Sequence, residues 1–271
     1  MNNTLSNGFM LLEYLAETAQ EYSTKELAEL FELPNSHVCR LLKTLQERGY
    51  VEQGKSRKYQ ISLQVTCLSN AILRKNQLRK RCRPYLQNLQ VKLNTIVYLA
   101  EPLNGKTLII DVIHPINQSV DDGLSIGKIN ELNATSSGKL IAAFQPESEY
   151  KRLIEQSKPK KFTGRTLTET NDLIAELKRI RKRGMAVTWG EHFEHVFSVA
   201  APIFNFNGEL AGAIATFVWQ PSEEKMKLIV NEIRGAAISA SFSIGYTGSH
   251  DSEQLTAEQI LTEVFESSLS K

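Results

Sequence analysis

Residues 23–61, STKELAELFELPNSHVCRLLKTLQERGYVEQGKSRKYQI, constrain the fold more than any other stretch of the chain. Ser23 or Thr24 offers an N-cap, with Glu26 completing a capping box if Ser23 is the cap, and residues 24–31 place Leu27, Leu30 and Phe31 on one side of a helix. Glu32-Leu33 makes a turn, and Pro34, barred from a helix interior, suits the start of the next helix. Over residues 35–48, Val38, Leu41, Leu42 and Leu45 recur at helical spacing and leave Ser36, His37, Arg40, Lys43 and Thr44 on the other side. Gly49 stands where a C-cap belongs. Tyr50 to Gln53 alternates like a strand, Gly54-Lys55-Ser56-Arg57 turns, and Lys58 to Ile61 returns. A further helix over about residues 5–18 is marked by Leu5, Phe9, Leu12 and Leu15. Two short helices joined tightly and followed by a basic hairpin form a winged helix-turn-helix, a module whose second helix enters the DNA major groove.

The chemistry of the exposed positions agrees with a double-stranded DNA partner. The first turns of a recognition helix lie deepest, which singles out Asn35, Ser36, His37 and Arg40, with Lys43 and Thr44 behind them. Arginine bonds a guanine edge with two hydrogen bonds, and small hydroxyls reach phosphates or bases. Taken alone, the same polar face is what any solvated helix shows. The hairpin tip, with Lys55, Ser56, Arg57 and Lys58, adds cations that grip a phosphate backbone in a salt-dependent way.

At 271 residues the chain has room for two domains, and 41% hydrophobic residues are enough for a buried core. The net charge of +2 hides an asymmetry: residues 1–90 carry 13 Lys and Arg against 8 Asp and Glu, and the remainder carries 19 against 22. Cys39, Cys67 and Cys82 form no CxxC pair, which points to free thiols in a reducing compartment. The N-terminus lacks a basic n-region and carries Glu13 and Glu17 within its apolar pattern, and no apolar run approaches membrane-spanning length. The expectation is a cytoplasmic protein.

Val65, Leu68, Ala71 and Ile72 predict a linker helix over about 64–75. The basic run Arg79-Lys80-Arg81-Cys82-Arg83 reads either as a contact to DNA flanks or as the solvated lead-in to a helix beginning at Pro84, over about 84–94. Strands are expected at 95–101 and 106–113, joined by Asn104-Gly105, a strong hairpin signal. Helices are expected at 136–145, 147–156, 168–183 and 222–245, and strands at 185–189, 196–204 and 209–218. Hairpins flanked by helices imply an α+β fold with an antiparallel sheet. The expected organisation is a winged helix-turn-helix domain over 1–62, a linker helix over 63–80, a second domain over 81–247 and a C-terminal tail over 248–271, the last with a possible short helix near Leu255, Ile260, Leu261, Val264 and Phe265.

The order of elements, with "RLLKTLQERGYVEQ" and "YQISLQV" around the wing, resembles the N-terminal domain of IclR-type (isocitrate-lyase-regulator-like) transcription factors. Residues 133–139, NATSSGK, are similar to that family's "HATAxGK" segment. Gly184-Met185-Ala186-Val187, Glu191 and Val196 to Pro202 are similar to its "GyAvdxEE…GvrCiAaPv" segment. Leu210 to Ala215 is similar to the family's next strand, and Ala236 to Tyr246 to its closing helix. The resemblance implies a GAF-like effector-binding domain, a small-molecule ligand, a homodimer or dimer of dimers, and an operator near a catabolic gene cluster. Carried over motif by motif, the implied ligand positions are Ser136, Ser137, Thr188, Ser198, Ala200, Ala215 and Phe217; Glu191 and His192, in the stretch between two expected strands, are candidates for closing the pocket. The chain departs from the pattern where Ser198 replaces a cysteine, Thr188 an acidic residue, His195 a glycine, Asn133 a histidine and Phe217 a small hydroxyl residue, so the implied ligand chemistry is altered. Ser136 and Ser137 also read as a plain helix N-cap without a ligand.

Glu191-His192-Phe193-Glu194-His195 has some of the spacing of a metal site, but it falls between strands and lacks an evident third ligand; a structural or ligand-contact role is expected, with no cofactor. No nucleophile elbow, paired catalytic carboxylates or phosphate loop is present, so no enzyme activity is expected. The leading expectation is a ligand-responsive transcriptional regulator, sensing an organic acid or sugar acid to control an operon. The alternative is a small-molecule sensor or enzyme whose winged helix contacts protein.

Overall fold

The computed structural model describes residues 2–115, 123–248 and 255–269. The chain divides into two compact units, residues 1–75 and 76–271. The division falls inside the span expected as a linker, so that the helix over 64–75 belongs to the first unit and the basic run to the second.

In the first unit, α1 (Asn3–Thr18), α2 (Thr24–Leu30) and α3 (Asn35–Glu47) pack around Leu11, Leu15, Leu27, Val38 and Leu42, all fully buried. The capping box forms at α2: Ser23 Oγ accepts from Glu26 N at 3.2 Å, and the Glu26 carboxylate accepts from Ser23 N at 2.6 Å. Between α2 and α3 the backbone turns through Glu32 at φ 52°. β1 (Val51–Gln53) and β2 (Tyr59–Ile61) pair antiparallel, with Val51 opposite Ile61. Tyr22 adds a further bridge, its backbone bonding Tyr59 in both directions at 2.9 and 2.7 Å, and so fastens the wing to the segment between α1 and α2. α4 (Gln64–Lys75) buries none of its residues.

The second unit opens with α5 (Gln77–Leu93), and here the structure corrects the sequence reading. The helix does not begin at Pro84; it runs through it from Gln77, capped by Asn76, which accepts from Arg79 N at 2.7 Å. A proline inside a helix costs roughly 3 kcal/mol. Against that stands a buried stripe, Leu78, Cys82, Leu86, Leu89 and Leu93, whose first two members lie before the proline. Nor is the basic run a solvated lead-in. Arg79 and Arg83, one turn apart, bond the buried Asp111 at 3.3 and 2.6 Å, and Arg81 donates to the Ser243 carbonyl at 2.9 Å.

The remaining elements are β3 (Val97–Leu103), β4 (Lys106–Ile113), β5 (Ile129–Asn130), α6 (Ser136–Ala143), a 3₁₀ turn (Glu147–Glu149), α7 (Tyr150–Ser157), α8 (Thr170–Arg183), β6 (Ala186–Trp189), β7 (Val196–Phe204), β8 (Leu210–Trp219), α9 (Glu223–Ser243) and α10 (Ala257–Leu269). The strands form one antiparallel sheet in the order β5-β4-β3-β8-β7-β6, in a mixed α+β unit. Asn104 and Gly105 both have positive φ, 50° and 77°, as the two-residue turn between β3 and β4 requires. Alternation along the strands sends Tyr98, Ala100, Ala186, Ala200, Ala213 and Ala215 to the face covered by α6, on which α8 packs. The opposite face packs on α5 and α9.

The expected tail is not a free appendage throughout. α10 packs on β6 and α9, burying Ala257, Ile260, Leu261 and Val264. Residues 249–254, the polar start of that tail, lie outside the described residues.

The Asp111 clamp yields a stability test. Replacing Arg79 and Arg83 together with alanine leaves a carboxylate with 1% side-chain exposure unpaired. The expected loss is roughly 3 kcal/mol, the low end for an uncompensated buried charge because both arginines are themselves partly exposed. Denaturant unfolding measures it, and adding Asp111→Asn to the double variant is expected to restore part of it.

Candidate functional site

Each unit holds one candidate site. In the first, the seam Val38, Leu41 and Leu42 faces the core, which leaves Asn35, Ser36, Arg40, Lys43 and Thr44 exposed on α3. Pro34 offers no side-chain cap, unlike the Asn2 cap of α1 and the Ser23 cap of α2; the His37 amide bonds the Pro34 carbonyl at 2.9 Å, and the Asn35 and Ser36 amides before it have no capping side-chain oxygen. Open amides and the positive end of the helix dipole favour an anion there. Thr44 Oγ donates back to the Arg40 carbonyl at 3.0 Å. His37 is half-buried, with Nε2 3.3 Å from Asn7 Nδ2 of α1.

At the hairpin tip the four expected residues separate into two kinds. Lys58 bonds Glu26 at 2.9 Å, and Ser56 donates to Glu21 at 2.8 Å; both fasten the tip to the helical part of the unit. The Glu26 carboxyl is held down at about 2 by the Ser23 backbone N–H and then by Lys58. Lys55 and Arg57 remain exposed, without an ion-pair partner among the described residues. Arg57 adopts φ 59°, and its carbonyl accepts from Gln53 Nε2 at 2.9 Å.

In the second unit a cavity of about 140 Å³ opens between the α6 face of the sheet, the chain leading into α6 and the turn after β6. Thr188, Ser198 and Phe217 line it, side by side on β6, β7 and β8: Ser198 is the cross-strand partner of both Thr188 and Phe217. The other expected ligand positions do not line it. Ala200 and Ala215 lie deeper along the same face, in the core beneath α6. Ser136 and Ser137 are fully buried and join α6 to the sheet. Ser198 Oγ donates to the Thr216 carbonyl at 3.1 Å, so the 2.5 Å contact between Ser136 and Ser198 takes its proton from Ser136. Asn130 Nδ2 donates to Ser137 Oγ at 2.8 Å, and Tyr98 OH lies 3.1 Å from that same oxygen. Burial pushes the Tyr98 phenol up from its ordinary value, so it acts as a neutral hydrogen-bonding group. The cap of α6 is Thr135, whose side chain accepts from Gly138 N at 3.1 Å. Gly138 is there because a Cβ would stand 2.2 Å from the Glu131 carbonyl oxygen.

Glu191 turns away from this cavity. Its carboxylate pairs with Lys139, whose side chain is 1% exposed, on the far side of the turn. Thr163 and Thr166 hydroxyls donate to the carbonyls of Gly190 and Glu191 at 2.6 and 2.5 Å. Thus held from behind, the turn presents His192 and Phe193 to the cavity. Burial, and secondarily the charge of Lys128, lowers the His192 pKa. Nearby Glu176 is also buried, which works to raise its carboxyl; Lys139, Arg183 and Arg179 outweigh that and lower it. His195 adopts φ 64°, a backbone that glycine takes without strain, and stacks edge-on to Trp219. Among the described residues no three His, Cys, Asp or Glu side chains come together in a way that would hold a metal.

Tyr98, Asn130, Leu124, Lys128 and Phe193 also line the cavity and were not singled out from the sequence. Tyr98 sits there because β3 pairs with β8, an arrangement of strands far apart in the chain. Asn130 belongs to a two-residue strand too short to carry an alternation signal.

The pair beneath the turn provides a test. Glu191→Gln removes the hydrogen-bonded partner of the buried Lys139 ammonium and leaves it only the nearby Glu176 charge, with an expected loss of roughly 3 kcal/mol, the low end for a broken buried pair. Adding Lys139→Met is expected to recover most of that loss in thermal or denaturant unfolding; equal losses in the single and double variants would contradict the pairing.

Comparison with known proteins adds an independent line. Residues 4–55 match the family model of the IclR helix-turn-helix domain, and residues 70–242 that of the bacterial transcriptional regulator IclR C-terminal domain. An uncharacterized HTH-type transcriptional regulator of Haemophilus influenzae is 27% identical over 251 residues, 90% of this chain and 94% of that one. The transcriptional repressor IclR of Escherichia coli is 29% identical over 218 residues, 78% of each chain. The crystal structure of the Thermotoga maritima IclR superimposes with a TM-score of 0.70 at 27% identity, covering 91% of this chain and all of that one.

Proposed function

The chain belongs to the IclR family of bacterial transcriptional regulators, and from that premise we propose how its two units divide the work. As a family member it is a DNA-binding transcriptional regulator, not an enzyme. In our reading α3 enters the major groove, with Asn35, Ser36 and Arg40 toward base edges and phosphates and Lys43 beside them. Lys55 and Arg57 grip the backbone from the wing. His37, Ser56 and Lys58, each tied to a partner in the unit, position that surface more than they touch DNA. The observation that carries this reading is the uncapped, exposed N-terminal turn of α3 beside two exposed wing cations. In the second unit the cavity beneath α6 takes a small-molecule effector. An effector that binds one arrangement of the protein better than another shifts the population and with it operator affinity. The alternative, an enzyme or sensor with a protein-contacting winged helix, is not favoured, since the matched relatives are named as transcriptional regulators.

The reading extends to a homodimer on a two-fold operator in the cytoplasm. α4 buries nothing, yet carries Leu68 at 54% and Ile72 at 71% exposure, one turn apart, and α1 exposes Leu5 and Phe9. Apolar stripes of this kind are stabilised by a second copy, and two-fold proteins read paired half-sites. No described helix is long and apolar enough to cross a membrane.

Three sets of variants check these assignments. Arg40→Ala is expected to weaken operator binding by roughly 1–3 kcal/mol and to relax preference at one base position. Lys55→Ala and Arg57→Ala are expected to weaken all duplexes alike and to lower the salt slope by about 1 each. Leu68→Glu with Ile72→Glu is expected to lower the mass seen in sedimentation equilibrium; an unchanged mass would remove α4 from the interface.

A further inference from the structure

The chain offers α5 two starts, Asn76 and Pro84, and the structure uses the earlier one. We propose that the turn between them, residues 76–83, is a releasable latch: it opens as a unit about Pro84 while the rest of the second unit stays folded, and its release lengthens the connection to the first unit. Pro84 suits the first turn of a helix and has no N–H to give the Lys80 carbonyl one turn back. A helix that began at Pro84 would carry no such strain. The observed helix begins at Gln77 under the Asn76 cap, and so bears the proline in its interior.

The contacts that hold this turn closed are few, and several are costly. Before Pro84 only Leu78 and Cys82 are buried, whereas Leu86, Leu89 and Leu93 give the helix beyond it a stripe of its own. Leu78 sits in the dimple left by Gly212, where a Cβ would stand 2.8 Å from Leu78 Cδ2. The remaining contacts are polar. Arg79 and Arg83 bond Asp111, Arg81 bonds the Ser243 carbonyl, and Asn76 Nδ2 donates to both carboxylate oxygens of Glu101 at 2.9 and 3.0 Å. Arg79 Nε is buried with no partner. Burial raises the Glu101 carboxyl, and the bond from Asn76 works against that rise. Ion pairs taken out of water contribute little net stability, because desolvation cancels most of the attraction. Opening uncovers both sides of each pair at once, so it leaves no charge buried alone.

The place of the turn in the chain gives its release a consequence. Lys75 ends the first unit and Asn76 begins the second. As helix, residues 76–83 span about 12 Å; released, they reach about 28 Å. A link that is stiff in one state and slack in the other is a two-state element, which is what coupling between two sites requires. Duplex held by the first unit restrains that unit, so less freedom is gained on release and the closed latch is favoured. This last step rests on the regulator reading.

Cys82 is a built-in reporter. It is fully buried, and burial, with the Glu101 charge adding to it, pushes its thiol up to about 12, so it is inert while the turn is closed. The test is iodoacetamide labelling of the full chain at pH 8, resolved by peptide mass at each cysteine. The exposed Cys39 and Cys67 serve as internal standards, and fluorescence of Trp189 and Trp219, both in the second unit, reports whether that unit is folded. The expected result is Cys82 labelling at urea concentrations where the fluorescence is still native, at a rate nearly independent of urea. Pro84→Ala is expected to slow it by about tenfold or more, and Leu78→Ala to speed it by about tenfold or more. Leu93→Val is expected to lower the urea midpoint and leave the native-state rate unchanged, as a substitution outside an opening segment does. Amide exchange over residues 77–83 is expected to slow by about threefold or more when duplex from upstream of its own gene is bound. Cys82 labelling confined to the unfolding transition, or a Pro84→Ala rate equal to that of the parent chain, overturns the latch. Bound duplex that leaves exchange over 77–83 unchanged overturns its link to the first unit. A chain that holds no duplex removes the regulator reading instead, while the labelling rates still decide the latch.

Discussion

Which side of α3 is buried decides what the first unit can do. Val38, Leu41 and Leu42 lock one face against α1 and α2, and the helical repeat then leaves Asn35, Ser36, Arg40 and Lys43 no direction but outward. The wing is aligned with that face by three separate contacts: the Tyr22–Tyr59 bridge, the Lys58–Glu26 ion pair and the Ser56–Glu21 hydrogen bond. A recognition surface works only if its parts are held before DNA arrives, and these contacts supply that preorganisation.

The second unit uses a different device to the same end. α6 lies so close to the preceding chain that only glycine fits at position 138, and its first turn is joined to the sheet through hydroxyls rather than methyl groups. Ser136 bonds Ser198 and Ser137 lies within hydrogen-bond distance of Tyr98, so these hydroxyls hold α6 on the sheet. On the outer side, the buried Lys139–Glu191 pair and two threonine hydroxyls fix the turn that carries His192 and Phe193. A ligand touching that turn therefore touches a segment coupled to α6, and differential contact of this kind is what allows an effector to bias a conformational equilibrium.

Much of this was legible from residues alone, and the failures have physical causes. The Ser23–Glu26 capping box, the Asn104-Gly105 hairpin and the α3 stripe are local signals, and each formed as read. The N-terminal turn of α5 was lost because Pro84 reads as a start signal; burial of Leu78 and Cys82 and the Asp111 clamp, neither visible locally, outweigh the proline. Site residues divide in the same way. Thr188, Ser198 and Phe217 came from motif and strand parity, whereas Tyr98 and Asn130 depend on which strands become neighbours. Glu191, His37, Ser56 and Lys58 each also have a partner within the folded chain, which their spacing in the sequence does not show. The left-handed backbone at His195 shows why glycine is the family's usual residue there.

The central claim is that the exposed turn of α3 and the wing tip form the DNA-contacting surface. Amide hydrogen exchange of the full chain, with and without duplex from upstream of its own gene, tests it most directly. The account predicts new protection over residues 35–44 and 54–58, with residues 186–219 of the sheet unchanged. Bound duplex that leaves both segments exchanging as before, and protects some other surface, would contradict it.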